Sequence, residues 1–183
     1  MSEDYDVSSA YLDAVLRALG SKSLPAVREV LNPESIAVVE NAWSDAWHPA
    51  IHLEALGEAV VKVLGAEAFE NLAYRAMKDR FGAIVMPMIK KSLETTKRSP
   101  AAILVNLPGL VEIGIRGLDI TWEAKGPSAG LLEIRYPRPV AAHVDHSWRG
   151  VLRFVFEMTQ ATGRVEQFVH SETGTTFQYR IVW

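Results

Sequence analysis

The chain has 183 residues, 49% of them hydrophobic, and no cysteine. That length is enough for one domain with a buried core, and without cysteine there are no disulfides, zinc-thiolate sites, iron-sulfur clusters or cysteine nucleophiles. A formal charge of -3 and a pI near 6.0 exclude a general nucleic-acid binder, which needs an excess of Lys and Arg to neutralise phosphates. The start, MSEDYDVSSA, is acidic and polar, unlike a secretory signal. No apolar run approaches the roughly 18 residues of a membrane-spanning helix. The expectation is a cytoplasmic protein with neither nucleic acid nor membrane among its partners.

Helical signals fill the first part of the chain. Ser8 or Ser9 caps a helix whose stripe is Tyr11, Leu12, Val15, Leu16 and Leu19, with Gly20 as its stop. Pro25 suits the first turn of a short helix that ends at Asn32-Pro33. Pro49 opens another, with Leu53, Leu56, Val60 and Val63 on one face and Gly65 closing it. From Phe69 to Ile89 helical spacing runs straight across Gly82 and Pro87, which predicts one long helix kinked near the proline. Ser99-Pro100 starts the segment AAILVNLPGLVEIGIRG, almost wholly apolar, expected as one helix that keeps phase through Pro108 and is the most buried of all.

After Gly117 the period changes to two. DITWEA and GLLEIRYP alternate around the turn KGPSAG, a helix is expected from about Ser147 to Ala161, and RVEQFVH and TTFQYRIVW flank SETG. The predicted class is α+β in a single domain, 1–183: a helical subdomain of about five helices (1–117) packed on a four-stranded antiparallel sheet with one crossover helix (118–183). The last strand, ending at Trp183, leaves open an exposed sheet edge and a homodimer through it, without predicting either.

With NLPGL, LLEIRYPRP and WRGVLRFVFE in this order, the layout resembles the heme nitric oxide/oxygen binding domains and their 4-vinyl reductase-like relatives. Closer still, it resembles a myxobacterial paralogous family of unknown function, itself similar to that superfamily. The resemblance implies a helical part before an antiparallel sheet. It also implies two departures. Heme-binding members end the helix matching ILVNLPGLVE with an iron-ligating histidine, where this chain has Leu110, Val111 and Glu112. They also grip the propionates with Tyr-x-Ser-x-Arg, where this chain has Tyr136-Pro137-Arg138-Pro139. The expectation is therefore a protein with no bound cofactor.

Four of the five histidines fall into two pairs. His48 and His52 have the four-residue spacing of helical zinc sites, but Pro49 replaces the glutamate of the metalloprotease form, and Trp43 and Trp47 mark a packed corner. His143 and His146 flank Asp145 near a helix start, where Asp145 or Ser147 would cap and the histidines would be solvated. No GxSxG elbow, phosphate loop or dinucleotide motif is present. Arg116, Arg135, Arg138, Arg149 and Arg153 gather with Tyr136 and Trp148 in the seam and sheet region. Arginine over aromatic surface suits a carboxylate, a phosphate or an acidic segment, unless Glu112, Glu133 and Glu157 pair with it.

The sequence thus predicts a non-catalytic regulatory or binding domain, without heme or a metal, that takes a small apolar or anionic ligand or a protein partner. Its candidate binding residues are Tyr136, Arg138, Trp148 and Arg149, with Trp47 as a pocket wall. The alternatives are a metal-dependent enzyme using both histidine pairs and a heme sensor with unusual ligation.

Overall fold

The computed structural model describes residues 4–41, 46–95 and 98–183. Ser8 begins the helical layer: its extended backbone and its Oγ, which accepts from the Tyr11 N–H at 3.2 Å, cap α1 (Ser9–Arg28). Leu12, Val15 and Leu19 are buried from this helix. Gly20, at φ 75°, breaks the helix without ending it, so the second segment begins ahead of Pro25 and carries that proline inside it. Asn32 then caps α2 (Pro33–Glu40) by accepting from the Ser35 N–H at 2.7 Å.

A small sheet that sequence periodicity did not announce ties three distant segments together. β1 (Asp6–Ser8) pairs antiparallel with β2 (Trp47–Pro49) and with β3 (Ile115–Arg116), in the order β2-β1-β3. Strands of two or three residues are too short to show alternation. Pro49 therefore ends a strand and does not open a helix. α3 (Ile51–Leu64) starts after it, and Gly65, at φ 90°, turns the chain into α4 (Ala66–Ala76).

The long helix expected across Gly82 and Pro87 is present, but its irregularity is displaced. α4 passes through a π turn (Met77–Phe81) into α5 (Gly82–Thr95), and Pro87 lies exposed within α5. The Met77 carbonyl occupies the space a Cβ on residue 82 would need, which only glycine can concede. The next segment is likewise two helices: α6 (Pro100–Leu104) and α7 (Leu107–Glu112). Pro108 cannot donate to the Leu104 carbonyl, so the helix stops before it and restarts with the proline in its first turn. Val105, in the break, is 60% exposed, so the segment is not buried throughout as expected.

The sheet subdomain follows the predicted pattern closely. β4 (Asp119–Gly126), β5 (Ala129–Arg135), α8 (Val144–Thr159), β6 (Arg164–His170) and β7 (Thr176–Val182) occur in that order. The strands form an antiparallel sheet, β4-β5-β7-β6. Leu132 pairs with Tyr179 and Ile134 with Phe177, and all four are fully buried on one face. The C-terminal strand is not an edge: β7 lies between β5 and β6, and the edges of this sheet are β4 and β6. α8 packs against α4, and its Arg149 guanidinium reaches over the Phe168 ring of β6. At Gly150 it approaches α4 so closely that an added Cβ would meet the Tyr74 backbone nitrogen at 2.8 Å.

Candidate functional site

The helices enclose an apolar cavity with about 80 Å³ of free space, and no residue of the β4-β5-β7-β6 sheet is in its lining. Most of its wall is aliphatic and comes from separate elements: Val15 of α1, Leu72 of α4, Met77 of the π turn, Ile103 of α6, Leu110 of α7 and Val151 of α8. One side differs. There Tyr5, Glu54, Tyr136, His143 and Trp148 also reach the lining. An apolar chamber with a few converging polar groups is the usual form of a small-molecule site.

The polar side is knitted together by hydrogen bonds. The Tyr5 hydroxyl donates to Glu54 Oε1 at 2.6 Å, and Arg138 closes on the same carboxylate with Nη2 at 2.7 Å and Nη1 at 3.2 Å. Arg138 Nε also donates to Asp4 Oδ1 at 3.1 Å, and its guanidinium lies over the Tyr5 ring. Deeper in, Trp148 Nε1 donates to the Tyr136 hydroxyl at 2.6 Å, and the Tyr136 ring meets Tyr5 edge-on at 5.3 Å. Burial raises the pKa of Tyr5 and of Tyr136 well above the ordinary phenol value, and pushes Tyr11 up to about 12. The hydrogen bond to Glu54 raises Arg138 further. The phenols are neutral at physiological pH, and the one carboxylate of the lining is matched by a fixed cation.

His143 completes this side. Its side chain makes no capping bond to α8 and packs near Phe69, with ring centroids 6.0 Å apart. Its Nε2 is sealed from solvent with no hydrogen-bond partner among the described residues. Burial lowers its pKa, so the ring is neutral. The expectation of a capped, solvated histidine pair is corrected here. Asp145 is buried and bonds Arg149 Nε at 2.7 Å, and Ser147 Oγ donates to the Val144 carbonyl at 2.8 Å, so neither side chain caps the helix.

Of the five candidate residues, Tyr136 and Trp148 line the cavity, and Arg138 holds its rim through Glu54. Arg149 pairs with Asp145 and covers the Phe168 ring, away from that lining. Trp47 is 37% exposed on β2, beneath the Arg116 guanidinium at 4.5 Å, and Trp43 lies outside the described residues. Each arginine of the seam has a partner. Arg116 pairs with Asp6, Arg135 with Glu133, and Arg153 Nη1 donates to Asn71, so of the three expected glutamates only Glu133 serves as drawn, while Glu157 takes Lys78. The first histidine pair shares no helix face: His48 on β2 bonds Ser9 and His52 on α3 bonds Ser35. Among the described residues no cluster of His, Asp and Glu is placed to hold a metal ion, and no helix is long and apolar enough to cross a membrane.

Sequence reasoning missed Tyr5 and Glu54 and set His143 aside. Glu54 carried one readable signal: it interrupts the apolar run of α3 between Leu53 and Leu56, where a carboxylate requires a partner if it turns inward.

No family model and no curated protein matches the chain. Solved structures do. The Fe(II) unliganded H-NOX protein from K. algicida superposes with a TM-score of 0.67 at 13% identity, over 96% of this chain and 95% of that one. A Cs H-NOX variant gives 0.60 at 10% identity, over 96% and 95%. The oxygen-binding H-NOX domain related to soluble guanylate cyclases gives 0.52 at 9%, over 94% and 89%. The likeness spans both the helical layer and the sheet, and the fold of this chain is H-NOX-like, as the sequence resemblance implied.

Proposed function

We propose that this chain is a sensor-type domain that takes a compact, neutral, largely apolar molecule in the cavity enclosed by the helices, without heme. The supporting observation is the cavity itself, aliphatic on most sides and neutral on its polar side, in a fold whose solved examples bind ligands. An anionic ligand is disfavoured, because Arg138 already serves Glu54 and Asp4 and Arg149 already serves Asp145.

The residues do not fit a heme. On the α7 wall, where the resemblance places the iron ligand, the lining residues are Leu107, Leu110 and Val111, and none can ligate iron. The guanidinium that would receive a propionate is held by two carboxylates, and Glu54 would repel another. The free space is about 80 Å³, whereas sites for larger cofactors and drug-sized ligands run to roughly 300–1,000 Å³. A molecule of a few non-hydrogen atoms matches that space.

Hemin titration is the test. The purified protein is expected to leave the Soret spectrum of free hemin unchanged and to keep its melting temperature. A sharpened, shifted Soret band at one hemin per chain would overturn the heme-free reading.

A further inference from the structure

We propose a second binding site on the surface, a groove between α1, α3, α4 and α8 that takes an organic carboxylate with a short apolar body. The groove offers about 560 Å³ of free space, within the roughly 300–1,000 Å³ of small-molecule sites. It shares only Leu72 with the lining of the apolar cavity and does not rest on the reading of that cavity.

The groove joins apolar surface to unmatched positive charge. Leu19 of α1 and Leu72 of α4 are buried in its floor, and Leu64, the last residue of α3, is 40% exposed along it. Its charged lining residues are Arg75 of α4 and Arg153 of α8, and no carboxylate lines it. Asn71 and Arg75 stand one turn apart on the same face of α4. Arg153 Nη1 donates to Asn71 Oδ1 at 2.7 Å, which brings the second guanidinium to that face, and the Tyr74 ring supports it at 4.2 Å.

Arg153 differs from the other arginines of the seam. Arg116, Arg135, Arg138 and Arg149 close on carboxylates, whereas Arg153 gives one Nη to a neutral amide. Glu157, one turn along α8, is engaged by Lys78 and by the Tyr74 hydroxyl. Arg75 is exposed and has no ion pair among the described residues. A guanidinium carries five N–H donors in a planar fork, and a planar carboxylate accepts from such a fork in parallel bonds. With its oxygens on the two arginines, the body of the ligand lies on Leu19 and Leu64.

Hexanoate, hexanamide and acetate test this. Each is titrated into the full chain at pH 7.5 with the isoleucine, leucine and valine methyls labelled, and followed by NMR. Hexanoate is expected to shift the Leu19 and Leu64 methyls saturably while those of Ile103 and Leu110 in the cavity stay in place. Hexanamide lacks the charge and acetate lacks the body, and each should bind about tenfold more weakly than hexanoate. Arg75→Gln should weaken hexanoate about fivefold and leave hexanamide unchanged. Arg153→Gln should act in the same direction, and if it disturbs the packing on Tyr74, Arg75→Gln decides alone. Equal binding of hexanoate and hexanamide, or wild-type hexanoate binding by Arg75→Gln, would overturn the site. Hexanoate shifts confined to the cavity methyls, or no saturable shift at all, would overturn it as well.

Discussion

Glu54 shows how much a single side chain organises here. It receives Tyr5 from the N-terminal segment and both Nη groups of Arg138 from the stretch after β5, so one carboxylate on α3 fastens two segments distant in sequence. Glu54→Gln should destabilise the fold by about 1–3 kcal/mol in chemical denaturation, since charge-assisted bonds are replaced by weaker ones. A change within experimental error would mean the pair is idle. His143 gives a second prediction, in pH. Burial holds its folded pKa below the unfolded value of 6.5, against the opposing pull of Glu58 and Glu54 and with the help of His146. The unfolded chain then binds more protons, so this contribution is present above about pH 6.5 and is lost as pH falls through that region toward the folded value. The stability difference between pH 7 and pH 5 should shrink in His143→Leu, and an unchanged pH profile would show that the ring is not desolvated. Glu54 was not legible in the sequence as part of a site, because hydrogen bonds from Tyr5 and Arg138 to it depend on tertiary placement that no spacing rule encodes, and His143 was read only as half of a candidate metal pair.

Among the elements, legibility followed length and period. α1, β5 and β7 were readable because Leu12, Val15 and Leu19, or Leu132 and Ile134, recur at the helical or strand period over enough residues to be unambiguous. β1, β2 and β3 were not, being held by pairing across more than a hundred residues of chain in the case of Val7 and Ile115. The π turn was also hidden, since the apolar stripe continues through it and only the position of Gly82 hints at a crowded backbone. The contact of α8 with α4 makes a sharper test. Gly150→Ala should cost about 1–3 kcal/mol, as the new methyl meets Tyr74 backbone and the Ala73 side chain. Gly109→Ala, in α7 with nothing near the added carbon, should instead stabilise by about 0.5–1 kcal/mol. Equal effects in thermal and urea unfolding would contradict the packing described for Gly150.

For the whole molecule, the fold was more readable than its use. The order of elements and the phrases around NLPGL and LLEIRYPRP pointed to the H-NOX-like arrangement, and the superposition over nearly the full chain agrees. Fold alone does not set the ligand. The ligand reading rests on the cavity, where aliphatic side chains from α1, α4, α6, α7 and α8 leave a small chamber beside a polar wall. The arginines that drew attention in the sequence are bound to partners, so the molecule presents them as structural ties. The measurement that tests this most directly is methyl NMR of the isoleucine-, leucine- and valine-labelled chain during a pyrrole titration. Saturable shifts confined to lining methyls such as those of Ile103, Leu110 and Val151 are predicted. Shifts at exposed Val30, Ile51 and Val105 with the cavity methyls silent would contradict it.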